Sequence, residues 1–408
     1  MWNRILDTAL RQLIVTDALE LTWPDGHTTR YGDGSPPVRV ELHRDDIVQR
    51  LVLRPDLTLG NAYMDGDLTV ANDDLDGLLS MLMRNRQRGR TTVLMGAARR
   101  LASPVQRLAR RNPLTRSRQN VAHHYDLSSE LYDLFLDTDR QYSCAYFTDP
   151  DMSLDAAQEA KKHHIARKLC IRPGMRILDI GCGWGGMALT LARDYGARVV
   201  GVTLSEEQHR IAGQRVREAG LTDRIDIRMQ DYREVAGPFD RIVSVGMFEH
   251  VGKPHYQTYF DKVRDVLTPD GVALIHTIGT ATRPRATSEW VRTHIFPGGY
   301  LPALSDIQHA VEHSGLMPTD IEVLRLHYAK TLRHWRDRFE AQADRAAALY
   351  DDRFVRMWRF YLSAAERSFV DERLVVFQIQ LARDKMAVPL TRDYLYVRED
   401  AQAAMAAQ

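Results

Sequence analysis

The chain has 408 residues with 55 Lys and Arg against 54 Asp and Glu, so its formal net charge is only +1. Its 44% apolar and 27% charged residues are typical of a globular protein of two or three domains, and exclude collagen, long disorder and repeat arrays. The charge is nevertheless segregated. Residues 84–118 contain eleven Arg and no Lys, Asp or Glu, which leaves 44 basic and 54 acidic groups, or −10, elsewhere.

Cysteine content and the N-terminus indicate a cytoplasmic protein. Three scattered cysteines are too few for a disulfide framework, which favours a reducing compartment. Arg4, Asp7 and Arg11 interrupt the apolar residues of the N-terminus, so it lacks the core of a signal peptide. No run reaches the ~18–20 apolar residues of a membrane span. We therefore expect any membrane to be met peripherally, from the aqueous side.

Residues 1–83 predict a small α+β domain. Leu19, Leu21 and Trp23 alternate into a Pro-Asp-Gly turn, a second alternation follows at 38–42, and a helix pattern opens at Asp45. This region contains no cluster of His, Cys or paired carboxylates. We interpret it as a lipid-binding or assembly domain.

Residues 84–118 predict an Arg-rich linker or a basic amphipathic helix broken near Pro104. One interpretation is a solvated connector whose apolar stripe packs on a neighbouring domain. The other is a contact with an anionic lipid surface, where each Arg contributes roughly 1 kcal/mol before screening. Nucleic acid is disfavoured as a partner, because no stacking aromatic residues are interleaved with these arginines.

Residues 119–408 predict an α/β domain. Short apolar runs alternate with helix-length segments, which is typical of a parallel sheet covered by helices on both faces. The last two runs suit an antiparallel pair at the sheet edge. The runs are RILDIG, ARVVGVT, RIDIRM, FDRIVSVG, GVALIHTIG, DIEVLRLH and RLVVFQIQLAR.

A glycine loop, LDIGCGWGG (178–186), follows the first of these runs. Its GxGxG spacing, with Asp179 two residues before Gly181, differs from the dinucleotide motif GxGxxG and is the form seen in methyltransferases that use S-adenosylmethionine. Asp179 is interpreted as an acceptor near the donor's amino group, or else as a loop cap. Gly183 allows the backbone to approach the ligand.

The second run ends in Thr203-Leu204-Ser205 and not in the acidic residue that often binds ribose hydroxyls. Ribose contacts are therefore expected from Gln208 on the following helix. Asp231 and Tyr232, after the third run, offer a carboxylate and a ring where adenine would lie. The alternative for Asp231 is a turn residue.

The whole of residues 120–335 closely resembles the cyclopropane-fatty-acyl-phospholipid synthases and their relatives that modify mycolic acids. The matching stretches are HHYDLSSELYDLFLD (123–137), YSCAYF (142–147), LDIGCGWGG (178–186), GVTLSEEQ (201–208), QDYR (230–233), FDRIVSVGMFEHVG (239–252), HTIG (276–279), IFPGGYLP (295–302) and HYAKTL (327–332). The resemblance implies a class I S-adenosylmethionine-dependent methyltransferase fold, Rossmann-like, with a mostly parallel seven-stranded sheet and an antiparallel edge, preceded by the small α+β domain.

The resemblance also implies roles for individual residues. Positions that bind S-adenosylmethionine are Tyr142, Ser143, Gly181, Gly183, Thr203, Leu204, Gln208 and Tyr232. Positions that hold a bicarbonate ion are Cys144, Glu249, His276, the backbone of Ile278, and Tyr328. In larger members, an N-terminal module and linker help to engage phospholipid, and residues 1–118 have the length for that. A homodimer is a family-level expectation.

The implied reaction adds a methylene group to the cis double bond of an unsaturated phospholipid acyl chain through a carbocation, with bicarbonate as the base. Glu249 is expected to accept the bicarbonate hydroxyl and to orient His276. Each residue has a simpler alternative: Glu249 as part of a helix start, His276 as a core histidine, and Cys144 as a small buried residue.

Aromatic residues Tyr125, Tyr146 and Phe147 either line the acyl tunnel or pack in the core. No metal is assigned, because the histidine pairs 123–124 and 163–164 lack a carboxylate or cysteine at ligand spacing. Rival functions are methylation of the same alkene without ring closure, N-methylation of a small amine, and a non-catalytic lipid-binding scaffold.

Overall fold

The computed structural model describes residues 1–88 and 128–396. Its N-terminal unit is a four-stranded sheet with helices packed against it, as the alternating apolar residues predict. The sheet order is β2-β1-β3-β4, with β1 and β3 parallel and the other neighbours antiparallel. The elements are α1 Trp2–Leu13, β1 Leu19–Thr22, β2 Thr28–Tyr31, β3 Val38–Leu42, α2 Asp45–Leu53, α3 Pro55–Asp65, β4 Leu68–Val70 and α4 Leu75–Arg88.

Helix α4 continues past residue 83, so the predicted Arg-rich segment 84–118 begins inside a helix and not after it. Two of its arginines are already engaged: Arg84 forms an ion pair with Asp371, and Arg86 with Glu372. The rest of the segment, including the predicted amphipathic helix, lies outside the described residues.

The second unit is built on the predicted seven-stranded sheet, and all seven apolar runs form strands. The order is β10-β11-β9-β8-β5-β6-β7. Strands β9, β8, β5, β6 and β7 are parallel, and β11 runs antiparallel to both of its neighbours. The strands are β5 Arg176–Ile180, β6 Arg198–Thr203, β7 Ile225–Met229, β8 Phe239–Val245, β9 Leu267–Thr280, β10 Met317–Leu324 and β11 Leu374–Ala382.

Helices cover both faces of this sheet, because successive residues of each buried strand face opposite sides. Ile177 and Leu178 of β5, for example, belong to two different apolar clusters. None of the helices in the described ranges is long and apolar enough to cross a membrane. The helices are α5 Ser129–Asp133, α6 Leu154–Lys168, α7 Gly186–Tyr195, α8 Glu206–Glu218, α9 Tyr256–Val266, α10 Glu289–His294, α11 Leu304–Ser314, α12 His327–Glu340, α13 Ala343–Leu349 and α14 Asp352–Val370.

The two units share an apolar core. Tyr63 of α3 packs on Phe360 of α14, with ring centroids 5.9 Å apart, and Phe360 contacts Trp290 of α10 at 4.7 Å. Trp290 also lies directly against Gly60, where a Cβ atom would come within 2.3 Å of its indole nitrogen. The same buried cluster contains Cys144 and several side chains described below. The N-terminal unit is therefore packed against the region that forms the candidate site.

Candidate active site

The glycine loop after β5 lies where the carboxyl ends of the parallel strands meet, which is the usual ligand-binding edge of such a sheet. Gly181 and Gly183 have positive φ values of 81° and 54°. A Cβ at Gly181 would lie 2.9 Å from the Met247 side chain, whereas a Cβ at Gly183 would meet no atom within 4 Å. Gly181 thus permits close packing, and Gly183 borders open space beside the loop.

Asp179 is buried at the end of β5, with 2% of its surface exposed. Burial raises the pKa of this carboxyl to about 7, and the nearby Lys161 opposes that rise. Its Oδ2 atom has no hydrogen-bond partner among the described residues. No described backbone N–H is capped by this oxygen, and the predicted contact with a ligand's amino group stays a prediction.

The residues predicted at the end of β6 are held together by side-chain hydrogen bonds. The Thr203 hydroxyl donates to Gln208 Oε1 at 2.8 Å and accepts the backbone N–H of Ser205 at 3.2 Å. Ser205 Oγ accepts the backbone N–H of Gln208, which caps α8. Leu204 lies between them. This arrangement pre-positions the loop expected to contact ribose.

Asp231 serves as the turn residue that the alternative interpretation describes. Its carboxylate accepts the backbone N–H of Arg233 at 2.9 Å and forms an ion pair with the same side chain at 2.7 Å. Tyr232 is half-buried, with its ring edge-on to Tyr259 at 5.3 Å. The ring is thus fixed at the sheet edge, while the Asp231 carboxylate is largely engaged by Arg233.

Tyr142 and Ser143 lie in the segment that precedes the sheet in sequence. The Tyr142 hydroxyl is 2.9 Å from that of Tyr361, and its ring packs on Trp335 at 5.1 Å. Ser143 is buried, and its Oγ accepts a 2.8 Å hydrogen bond from the ammonium of Lys161. Lys161 was not predicted from the sequence.

Glu249 follows β8 in a short 3-10 turn, Phe248–His250, and is 7% exposed. Burial raises its pKa to about 7. Oε1 accepts a 2.6 Å hydrogen bond from the backbone N–H of Ile278, whereas Oε2 is buried without a described partner. The Ile278 amide, expected to be a free donor for an anion, is thus already engaged by Glu249.

His276 does not have the partner that the sequence predicts. Its Nδ1 lies 3.1 Å from Nε2 of Gln378 on β11, and no hydrogen bond joins it to Glu249 in the described part of the chain. With the Gln378 amide nitrogen facing the ring, Nδ1 accepts this hydrogen bond and Nε2 carries the ring proton. Burial lowers the pKa of His276 well below its usual value, so the ring is neutral.

Cys144 and Tyr328 both belong to the apolar cluster shared by the two units. The Cys144 thiol donates to the Ala145 carbonyl at 3.3 Å, and burial raises its pKa, so it stays protonated. The ring of Tyr328 lies edge-on to Trp335 at 5.7 Å and against Phe369 at 5.1 Å. These residues form an apolar and aromatic wall.

Tyr146 and Phe147 pack against the edge of this cluster. Tyr146 stacks between His164 and His327, at 4.1 and 5.1 Å, and Phe147 stacks on His334 at 5.7 Å. Imidazole rings therefore flank both aromatic side chains, and the Lys330 ammonium also lies over the Phe147 ring, 4.4 Å from its centroid. Residue 125, the third predicted tunnel aromatic, lies outside the described residues.

Two functional candidates escaped the sequence analysis, although the sequence carried a signal for each. Lys161 belongs to α6, LDAAQEAKKHHIARK, which has no apolar face and is nevertheless mostly buried. Gln378 interrupts the apolar run of β11. Polar residues in a helix or strand that must be buried indicate internal hydrogen bonding.

His163 has carboxylate neighbours, contrary to the sequence-based expectation. Ligand atoms of Glu159, His163 and Asp194 all lie within 4.8 Å of one another. Lys162 and Arg193 already form ion pairs with these carboxylates. Because those cations compete for the same oxygen atoms, we assign no metal ion to the group.

Comparisons with known proteins identify the family of the chain. A family model described as mycolic acid cyclopropane synthetase matches residues 112–379, and a domain of unknown function matches residues 5–90. A probable fatty acid methyltransferase of Pseudomonas putida is 42% identical over 287 residues, 68% of this chain and 73% of that protein. The cyclopropane-fatty-acyl-phospholipid synthase of Escherichia coli K12 is 38% identical over 351 residues, 86% of this chain and 89% of that protein.

Among solved structures, mycolic acid cyclopropane synthase CmaA1 complexed with SAH and CTAB superposes with a TM-score of 0.63 at 34% identity. The match covers 66% of this chain and 99% of that one. The family model and these relatives together cover most of the sequence, including every predicted site residue. The chain therefore belongs to the mycolic acid cyclopropane synthetase family and is an S-adenosylmethionine-dependent C-methyltransferase of the cyclopropane synthase type.

Proposed function

We propose that the protein is a cyclopropane-fatty-acyl-phospholipid synthase, which adds a methylene group from S-adenosylmethionine to the cis double bond of an unsaturated phospholipid acyl chain. One observation carries the proposal: the glycine loop and Glu249 share one edge of the sheet, after the neighbouring strands β5 and β8. The Met247 side chain, two residues before Glu249, lies against Gly181. A carboxyl group that can accept or donate a proton thus lies next to the glycine loop.

The first chemical step needs positioning more than acid or base catalysis. An alkene is a weak nucleophile, so the protein must align it with the sulfonium methyl and stabilise the carbocation that forms when the alkene electrons attack that methyl. Tyr142, Tyr328 and Trp335 present rings within the apolar cluster. Their π-faces favour cationic character, and the cluster excludes water that would otherwise trap the cation.

Ring closure requires one proton to leave the added methyl group, so that its C–H electrons form the second carbon–carbon bond. A bound bicarbonate ion would supply the base. The residues fit such an ion: Glu249 Oε2 is a buried, unpartnered acceptor, and His276 carries its proton on Nε2 as a donor. If the ion is bound there, Glu249 would accept its hydroxyl hydrogen, and His276 and Tyr328 would donate hydrogen bonds to its oxygen atoms.

The distribution of charge supports an anionic membrane as the partner. An acidic body joined to the Arg-rich segment 84–118 suits a cytoplasmic enzyme that binds an anionic membrane peripherally to reach its lipid substrate. Neutralising Arg99, Arg100 and Arg107 is expected to weaken binding to anionic vesicles while donor affinity stays unchanged. Vesicle binding that ignores both salt and these substitutions would assign the segment to a connector. A homodimer remains a family-based proposal.

Product analysis tests the function. Purified protein is incubated with labelled S-adenosylmethionine and vesicles of unsaturated phospholipid, and the acyl chains are identified by mass spectrometry. The expected product has gained one CH2 and lost its alkene. Turnover is expected to fall in buffer depleted of carbon dioxide and to recover when bicarbonate is added. A product that keeps its double bond would overturn the proposal.

Methylation without ring closure is the second candidate, because the Pseudomonas putida relative is named a fatty acid methyltransferase and matches at the higher identity. The donor site and the carbocation would be the same, and the cation would lose a proton from a neighbouring chain carbon, which leaves a methylated and still unsaturated chain. N-methylation of a soluble amine is a third candidate. It has less support, because an amine needs no apolar, aromatic wall around Cys144 and Tyr328.

A further inference from the structure

Helix α6 buries three lysines, and they differ in what neutralises them. Lys168 is completely buried and pairs with Glu322 at 2.5 Å. Lys162 pairs with Asp139 and Glu159, both at 2.7 Å. A buried ammonium is costly unless a carboxylate or several hydrogen bonds compensate it, so these two pairs are what a folded chain is expected to provide.

Lys161 lacks such a partner. It is completely buried, and its Nζ donates to two neutral oxygens, Gln141 Oε1 at 2.6 Å and Ser143 Oγ at 2.8 Å. Within the described residues it forms no ion pair with a carboxylate. One of the three N–H groups of the ammonium remains without an acceptor. Burial lowers the pKa of Lys161 to about 8, so it is still mainly charged at neutral pH.

The carboxylates around Lys161 are already engaged or lie at longer range. Asp139 pairs with Lys162 and Arg215. Asp137 accepts the backbone N–H groups of residues 139 and 141. The charge of Lys161 lowers the pKa of Asp179, and no hydrogen bond joins the two side chains among the described residues. The site thus has a buried cation beside Ser143 that forms no ion pair with a described carboxylate.

The position of Ser143 suggests which anion this cation serves. Because Ser143 Oγ accepts from Lys161, its own hydroxyl hydrogen is left to donate elsewhere. Ser143 is among the residues proposed to bind the methyl donor, whose one anionic group is the α-carboxylate of its methionine part. Asp179, with its unpartnered oxygen, is suited to the α-amino group of the same zwitterion.

We propose that Lys161 and Ser143 together bind the α-carboxylate of S-adenosylmethionine, with the Ser143 hydroxyl as hydrogen-bond donor and the Lys161 ammonium as counter-ion. Lys161 is then a positioning residue that acts through Ser143. The inference rests on the proposed donor site, and it adds the part of the donor that this site recognises.

The test compares two ligands that differ only in the carboxylate: S-adenosylhomocysteine and its decarboxylated analogue, S-adenosyl-3-thiopropylamine. Dissociation constants are measured by calorimetry for wild type, Lys161→Met and the control Lys162→Met, which removes an ammonium from the adjacent position. Wild type and Lys162→Met are expected to prefer S-adenosylhomocysteine by about tenfold or more, as for a hydrogen bond to a charged group. Lys161→Met is expected to lose most of this preference while binding the analogue normally.

A preference that survives in Lys161→Met would overturn the inference, and so would a preference lost equally in Lys162→Met. If turnover of Lys161→Met no longer responds to bicarbonate while the ligand preference survives, the ammonium belongs to the bicarbonate ion instead. Failure of wild type to bind either ligand would instead contradict the donor site itself. Should Lys161→Met not fold, as judged by its melting curve, Ser143→Ala keeps the lysine and must show the same loss of preference.

Discussion

The two sides of the active site differ in what holds their functional groups in place. In the glycine loop on the donor side, the backbone conformation itself sets the shape, because Gly181 and Gly183 take positive φ values. On the other side, side chains from distant segments hold one another. Glu249 accepts from the Ile278 amide, and His276 is paired with Gln378.

This difference has a physical consequence for function. A backbone-defined loop binds a ligand whether or not one nearby side chain changes, because its N–H groups stay in place. A site made of paired buried side chains depends on every partner, since an unpaired polar group in a low-dielectric region is costly. Donor binding and turnover are therefore expected to respond separately to substitution.

The largest difference between the effect on turnover and the effect on donor binding is expected for Glu249→Gln. The glutamine keeps an oxygen for the Ile278 amide but can neither carry negative charge nor accept a proton at the unpartnered position. Turnover measured by mass spectrometry is expected to fall by about 10³-fold, as for loss of a general acid or base. Calorimetric affinity for S-adenosylhomocysteine is the control and should stay unchanged. Full activity in this variant would show that Glu249 is only a structural residue.

The same substitution is expected to alter the pH dependence of stability. The pKa of Glu249 in the fold is about 7, above its value in an unfolded chain, so the ionised carboxylate opposes folding. This loss of folding free energy is absent below pH ~4.5, grows as the pH rises to about 7, and reaches its full value above that pH. Denaturant unfolding should therefore show Glu249→Gln gaining roughly 2 kcal/mol over wild type between pH 5 and pH 7.

Asp179 titrates over the same interval, but it does so in both proteins and cancels in the difference. A stability difference between the two proteins that does not change with pH would mean that Glu249 titrates normally and is reached by water.

On the donor side, Gly183→Ala is expected to raise the dissociation constant for S-adenosylhomocysteine about tenfold, equivalent to ~1.4 kcal/mol. The new methyl group would project into the open space beside the loop, and the left-handed backbone would be strained by about 1–2 kcal/mol. Gly174→Ala is the matched control. Gly174 also has positive φ and open surroundings, but it lies at the opposite end of β5. Both variants should lose similar stability, and equal losses of affinity would argue against a ligand at Gly183.

The same comparison explains what the sequence could predict. Strands β5 to β9 and the glycine loop are local patterns, since alternating or continuous apolar runs and a GxGxG spacing are contained in a few neighbouring residues. The partner of His276 is Gln378, 102 residues away, and nothing in either segment alone encodes the pairing. Asp231 was ambiguous for a related reason, because a carboxylate before a turn caps it as readily as it binds a ligand.

Lys161 is a third kind of case. The sequence of its helix, α6, predicts a solvent-exposed helix, because charged residues occupy every face. Only packing under the donor segment shows that it is buried and that Ser143 is its partner. A buried charge is thus the feature that a single sequence reveals least. In this chain it lies beside the proposed donor-binding residue Ser143.

The smallest expected effect concerns the partner of His276. Gln378→Leu removes the group that holds Nδ1 as an acceptor, so the ring can rotate or change tautomer and Nε2–H is no longer fixed toward the reacting groups. Turnover is expected to fall about fivefold with donor affinity unchanged, as for a modest loss of orientation. Gln380→Leu is the matched control, because Gln380 lies two residues further on the same face of β11 and bonds to the Lys168 carbonyl and Tyr394 instead. If both variants lose activity equally, the effect comes from strand packing; if only Gln378→Leu does, His276 acts through its tautomer.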